Sequence, residues 1–277
     1  MIQDKKILVS GGAGSIGSEL VRQLAVNNSV HIVDTNETNL FDLLEELRNP
    51  KVRGQIGDVR DWDMFEQLEC PDIIFHVAAL KHVTPSAWTP SEYVKTNILG
   101  TLNVIRFAKL FKAKLVNIST DKVVHANSIM GATKKVAEIA VRDAGGISVR
   151  FGNVLNSRGS LLPFWQGQID RGEPITVTDV RMERYFMSIP EAVSLVIQAT
   201  EIGEAGDVIV LDMGKPIKII DLAHEIINKL GRDIPIKMIG LRKGETLSEE
   251  LMTESEKKTA IKKDNFYIIN DKNMSKL

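Results

Sequence analysis

Apolar and polar positions follow two different periods along the first 155 residues of the chain. Short, nearly continuous apolar runs rich in Ile and Val fall at 6–10, 30–33, 52–56, 73–79, 114–119 and 147–154, which is how strands buried on both faces read. Between them, apolar residues recur at helical spacing over 18–26, 37–47, 62–68, 93–111 and 131–142. Such alternation predicts an α/β fold, a doubly wound parallel sheet. After Asn153 the elements shorten: helices are expected at 161–171, 190–202 and 219–230, and strands at 175–178, 208–211 and 234–239. The reading divides the chain into a sheet domain over 1–153, with returning segments near 190–212, and a smaller interleaved cap formed by 154–189 and 213–277. Glu254 to Lys263 mixes both charges and reads as a solvated face.

Composition narrows the function classes. With 277 residues, 43% hydrophobic and 26% charged, the chain can bury a sizeable core. Its 35 basic and 36 acidic residues give a net charge of -1 without a long basic block, which argues against nucleic acid as a partner. A single cysteine, Cys70, excludes an internal disulfide, and no Cys–His cluster suggests a metal. The N-terminus runs straight into a strand without a signal peptide, and no apolar run reaches about 18 residues. The expectation is a soluble protein of the reducing cytoplasm.

Candidate chemistry lies where strands end. Gly12, Gly14 and Gly17 satisfy G-x-G-x-x-G between the first strand and first helix, where glycines permit a tight turn, close approach of a pyrophosphate and helix-on-strand packing. Gly11, Ser15 and Ile16 complete that turn, and the helix start offers free N–H groups to phosphate. Asp34 closes the second strand about 20 residues on, where a carboxylate can bind both ribose hydroxyls of NAD and would repel the extra phosphate of NADP. As an alternative, Asp34 is a helix N-cap or a turn aspartate. Asp58 and Val59 follow the third strand, Asp58 either facing an adenine or capping the helix at 62–68, while Ala78 and Ala79 are small enough to let a cofactor lie across the sheet edge. Asn97, inside the long helix, reads as a buried structural bridge. Thr120, Asp121 and Lys122 sit at the carboxyl end of the fifth strand, placed for acid and base work or, more blandly, in a solvated loop.

The segments Gly11-Gly12-Ala13-Gly14-Ser15-Ile16-Gly17, Ala79-Leu80-Lys81-His82-Val83, Ser119-Thr120-Asp121-Lys122, Met130-Gly131-Ala132-Thr133-Lys134, Arg150-Phe151-Gly152-Asn153-Val154 and Arg184-Tyr185-Phe186-Met187 resemble the nucleotide-sugar 4,6-dehydratases. These are extended short-chain dehydrogenases/reductases with a Rossmann sheet, acting on UDP-N-acetylglucosamine in polysaccharide and glycan synthesis. Gly244 to Leu251 resembles their closing motif. The resemblance implies NAD, a nucleotide-sugar substrate, a homo-oligomer and a redox-neutral dehydration: hydride leaves C4, a base removes the C5 proton, water leaves from C6 and hydride returns to C6. It further implies Thr120 on the C4 oxygen, Asp121 as acid to the C6 hydroxyl, and Lys134 on the nicotinamide ribose. Lys122 becomes the C5 base, its pKa expected to fall through desolvation beside a cationic nicotinamide. Lys81, His82, Asn153, Arg184, Arg242 and Glu245 are the candidate substrate contacts, guanidinium forks suiting a diphosphate; for the arginines the alternative is a surface salt bridge.

Three positions depart from that pattern. Met130 stands where most relatives have a tyrosine base, a change shared by one branch of the dehydratases, so that Asp121 is also a candidate C4 base; taken alone, Met130 reads as packing. Ala87 replaces a usual glutamate near Lys81, and Lys243 replaces a proline beside Arg242. The longest family members carry membrane helices ahead of this domain, and the chain resembles their catalytic portion standing alone. A nucleotide-sugar 4- or 5-epimerase is the nearest competing reading, disfavoured at C4 by Met130. A non-catalytic NAD-binding protein is the other, opposed by Asp121, Lys122 and Lys134 together.

Overall fold

The computed structural model describes residues 2–242 and 244–270, so the departure at Lys243 lies outside the described residues. The first half runs β1 (Lys6–Ser10), α1 (Ser15–Leu24), β2 (Ser29–Asp34), α2 (Glu37–Leu47), β3 (Val52–Ile56), α3 (Trp62–Phe65) and β4 (Ile73–His76). Short helices α4 (Val83–Ser86) and α5 (Pro90–Tyr93) lead through a π-helical segment, Val94–Gly100, into α6 (Thr101–Phe111). Then come β5 (Lys114–Ile118), a single 3₁₀ turn at Asp121–Val123, α7 (Ile129–Asp143), β6 (Ile147–Arg150) and β7 (Asn153–Val154). The remainder is α8 (Leu161–Asp170), β8 (Ile175–Val177), β9 (Glu183–Arg184), β10 (Phe186–Met187), α9 (Ile189–Ile202), β11 (Val208–Leu211), β12 (Ile217–Lys218), α10 (Ile219–Leu230), β13 (Ile236–Met238), α11 (Glu254–Thr259), β14 (Ile261–Lys263) and β15 (Phe266–Ile269).

The main sheet has nine strands in the order β14-β15-β11-β6-β5-β4-β1-β2-β3. β11, β6, β5, β4, β1, β2 and β3 are parallel, and their Ile and Val side chains fill cores on both faces. This is the expected doubly wound α/β sheet. Because β1 lies between β2 and β4, the winding reverses there and opens a crevice at the strands' carboxyl ends, beyond Ser10 and His76. A second core, built on Trp165, Ile175, Val177 and Met182, packs under α10 through Ile219 and Ala223. The Trp165 indole also donates to the Thr176 carbonyl at 2.8 Å.

Four details differ from the sequence reading. β6 stops at Arg150, and Asn153–Val154 leaves the sheet to pair with Phe186–Met187. The helix expected over 93–111 widens into its π turn around Asn97, whose buried side chain bonds the Leu80 N–H and C=O at 2.8 and 3.0 Å and the Thr133 hydroxyl at 3.1 Å. Asn97 is thus the structural bridge expected of it. The segment 261–269 forms a hairpin on β11 and extends the main sheet, so 213–277 does not lie wholly in the smaller part. Finally, 254–263 is not simply a solvated face, since Glu256 is buried against Arg150.

Candidate functional site

The glycine-rich turn is shaped for close approach. Gly11 has φ +69°, and a Cβ there would lie 2.6 Å from the Ala78 amide, while one on Gly17 would collide with the Gly11 carbonyl. Helix α1 begins at Ser15 behind Gly14, which supplies no side-chain cap, so its first N–H groups remain available to an anion. Ser15 Oγ accepts the Arg158 N–H at 2.9 Å and brings the 155–160 loop over this turn. Asp34 stands at the end of β2, one carboxylate oxygen accepting the Ala13 N–H and the other the Asn36 N–H, each at 2.9 Å. Asn36, not Asp34, caps α2. Likewise Asp61, not Asp58, caps α3. Burial would raise the Asp58 carboxyl, but Arg60, at 2.7 Å, outweighs it and holds the pKa low. Val59 is buried under α6 and the π segment, with Asn103 bonded to its carbonyl, and Ala79 is half-buried beyond β4 with Ala78. The turn, the open helix start and the strand-end carboxylate together fit a dinucleotide.

Next to this crevice is a cavity of about 280 Å³ between the sheet's carboxyl edge and the smaller core. Lys122, Asn153, Arg184, Arg242 and Glu245 all line it. Lys81 and His82 sit at its margin: Lys81 Nζ lies 3.5 Å from Ser157 Oγ, and the His82 ring lies against Gly159. Both residues are exposed, and partial desolvation lowers the pKa of each, assisted by Arg158 for Lys81 and by Lys81 for His82. Ala87 is exposed at the end of α4 and does not line the cavity. Arg242 is exposed at the cavity edge, where its backbone N–H donates to Glu245. Arg184 donates instead to the Glu183, Leu247 and Thr246 carbonyls, which makes it a strut for the 244–251 loop.

At the end of β5, three sequence-predicted residues meet, of which Lys122 lines the cavity. Asp121 Oδ1 accepts the Thr120 hydroxyl at 2.8 Å and the Lys122 amine at 2.9 Å. Its Oδ2 is buried without a partner, as are Ser160 Oγ and Thr246 Oγ1, both in residues lining the cavity. Asp121 does not line the cavity, its Oδ2 facing Gly152, whereas the unpaired Ser160 and Thr246 hydroxyls are costly to leave unsatisfied and fit a polar ligand in the cavity. Burial pushes the Lys122 amine down, but Asp121 and Glu249 outweigh it, so its pKa is raised, opposite to the expected depression. Helix α7 starts at the Ser128 cap and turns Met130, Thr133 and Lys134 inward. Met130 is fully buried and offers no proton acceptor. Lys134 donates to the Ile118 carbonyl at 2.5 Å, and burial, partly offset by Glu138, lowers its pKa to about 8.

Sequence reasoning missed Glu249 and Arg150. Glu249 lies 3.7 Å from both the Lys122 amine and Arg184 Nε; the acidic pair Glu249-Glu250 in the closing motif was the available signal. Arg150 is buried between Glu138 and Glu256, and an arginine inside an apolar strand was its signal. Among the described residues no cluster of acidic, His or Cys side chains could hold a metal, and no helix is long and apolar enough to cross a membrane.

An uncharacterized membrane protein of Methanocaldococcus jannaschii is 45% identical over 92% of this chain and 82% of its own. The capsular polysaccharide biosynthesis protein CapD of Staphylococcus aureus is 40% identical over 92% of this chain but only 46% of its own length, so the chain spans about half of that relative. A UDP-glucose 4-epimerase of Rickettsia bellii is 35% identical over 97% of this chain and 84% of its own. The crystal structure of Pen from Bacillus thuringiensis, 38% identical, superimposes with a TM-score of 0.91 over 96% of this chain and 88% of its own. Two more distant solved structures, each 24% identical with a TM-score of 0.80, share the Rossmann-type extended short-chain dehydrogenase/reductase fold. The polysaccharide biosynthesis protein family matches residues 7–271, and the chain belongs to that family.

Proposed function

We propose that the chain is a nucleotide-sugar 4,6-dehydratase that uses NAD to convert UDP-N-acetylglucosamine to the UDP-2-acetamido-4-keto-2,6-dideoxyhexose, for glycan or polysaccharide synthesis. The observation that carries this reading is the contact of Thr120, Asp121 and Lys122, at 2.8 and 2.9 Å, with Lys122 lining the cavity. Family membership and the capsular role in the name of CapD support it. Gly11, Gly12, Gly14, Ser15, Ile16 and Gly17 hold the pyrophosphate, Asp34 the adenosine ribose, and Asp58, Val59, Ala78 and Ala79 the flanks of the cofactor.

Bound, the oxidised dinucleotide supplies a hydride acceptor and later donor, and a positive charge that favours the neutral Lys122 amine. Thr120 holds the C4 oxygen. Asp121 takes the C4 hydroxyl proton, a task Met130 cannot perform, and returns it to the departing C6 hydroxyl. Lys122 removes the C5 proton, acidified by the neighbouring ketone, and gives a proton back to C5 once the C6 hydroxyl has left. Lys134 fixes the nicotinamide ribose, while Asn153, Arg242, Glu245, Lys81 and His82 contact the nucleotide sugar, and Arg184 shapes the loop around it.

The name of the Rickettsia relative favours a second reading, a 4-epimerase. One incubation separates the two. With UDP-N-acetylglucosamine in heavy water, without air or added oxidant, the product should lose one water and gain one deuterium at C5 by mass spectrometry. A C4-inverted sugar of unchanged mass would establish the epimerase and overturn the dehydratase.

A further inference from the structure

The loop 244–251 lines the cavity through Gly244, Glu245, Thr246 and Glu249 and is held between two arginine anchors. On one side Arg184 holds the Thr246 and Leu247 carbonyls at 2.6 and 3.0 Å. On the other, Arg150 holds the Leu251 carbonyl at 3.0 Å. That second arginine is fully buried. All five of its N–H donors are engaged, with Glu138 at 2.6 and 3.3 Å, with Glu256 twice at 3.0 Å and with Leu251. Glu138 in turn accepts the Ser119 hydroxyl at 2.6 Å, one residue before Thr120. A single buried cluster therefore positions both the strand end that carries Asp121 and the loop that carries Glu249.

We propose that Glu249 is a positioning residue for the reaction, a second carboxylate held against Lys122 that stabilises the ammonium formed when this lysine takes a proton from substrate. The inference rests on the proposed role of Lys122. Three charged groups face that amine: Asp121 at 2.9 Å, Glu249 at 3.7 Å, and Arg184, which opposes them; the neutral Asn153 Oδ1 lies at 3.5 Å. Asp121 must change protonation during the proposed reaction and cannot balance Lys122 at every step. Glu249, which takes no part in the proposed proton transfers, can. Because the loop carrying it also carries Glu245 and Thr246, the same segment that meets the nucleotide sugar sets the strength of the base.

The test uses the full chain and a readout independent of turnover. Lys122 is about one-fifth exposed and accessible to a small acylating reagent that attacks only neutral amines. At a fixed pH of about 9, Glu249→Gln should raise the acylation rate of Lys122, normalised to exposed lysines of the same digest, several-fold, as expected when a carboxylate that raises the amine's pKa is removed. Glu250→Gln, which removes only the partner of His125 and Lys257, should leave it unchanged. In turnover the Glu249→Gln profile should rise at lower pH and reach a lower plateau than wild type. An unchanged Lys122 acylation rate, or an increase matched by faster amide exchange over 246–251, would overturn the proposal. If acylation behaves as expected but no dehydration occurs in wild type, the electrostatic role stands and the assigned reaction fails.

Discussion

Lys122 combines a half-buried position lining the cavity with two carboxylates that keep it charged, so its replacement should separate binding from the proposed chemistry. Lys122→Met keeps the stem and should leave NAD and UDP affinities nearly unchanged while turnover falls about 10²- to 10⁴-fold, the range for loss of a general base. Reduced cofactor should then accumulate as nicotinamide absorbance, because C4 oxidation does not need this residue. Asp121→Asn should abolish that absorbance as well, since Met130 cannot take over the C4 proton. A Lys122→Met enzyme exchanging the C5 proton at the wild-type rate would move the base elsewhere, with Lys81 next in line. Cofactor choice belongs to this scale too: wild type should bind NAD more tightly than NADP, and Asp34→Ser with Thr35→Arg should narrow the difference in a titration. Equal wild-type affinities would remove Asp34 as the selector. These residues were legible because each follows a strand end at a spacing with a chemical reason. Glu249 was not, because its partner Lys122 lies more than a hundred positions away and only the folded loop unites them.

At the scale of elements, strong local patterns survived folding and tertiary contacts redrew the rest. Glu37–Leu47 and Ile219–Leu230 match their helical periods to the residue. The 93–111 helix carries no local signal for its π turn, which accompanies the side-chain bonds of Asn97 to Leu80 and Thr133. The 261–269 hairpin was hidden because Lys262, Lys263 and Asp264 look like surface charge, and only pairing with β11 gives them a place in the sheet. The glycine turn is a sharper test. Gly11→Ala meets both a left-handed φ of +69° and the Ala78 amide at 2.6 Å, so the turn and β4 cannot both keep their places. Dinucleotide affinity should fall at least tenfold by calorimetry, with a lowered melting temperature. An alanine variant that binds NAD as well as wild type would show that the crevice tolerates a wider turn.

Across the whole molecule, the Glu138–Arg150–Glu256 cluster joins α7, β6 and the C-terminal segment, so its removal should loosen distant parts together. Arg150→Met leaves two buried carboxylates without their cation and should cost about 3–5 kcal/mol in denaturant unfolding. A loss under about 1 kcal/mol would mean that solvent reaches the cluster. Acid should act on the same contacts. The Glu256 carboxyl is held at about 2 against an ordinary 4.5, so its contribution is complete above 4.5 and is lost as pH falls towards 2. His76 is buried neutral between Ser10 and Thr101, its pKa pushed down from 6.5 to about 3, so the unfolded chain gains a proton first and stability declines from 6.5 downwards. Wild-type stability should therefore fall in two overlapping stages below pH 6.5, and His76→Asn should flatten the upper one if it folds. Stability unchanged between pH 6.5 and 4.5 would contradict this. The chemistry itself is tested most directly by following one hydrogen. UDP-N-acetylglucosamine deuterated at C4, incubated with the protein and NAD in ordinary water without air, should give a 4-keto product whose C6 methyl carries that deuterium. A product with deuterium back at C4, or a methyl group without it, would contradict the assignment.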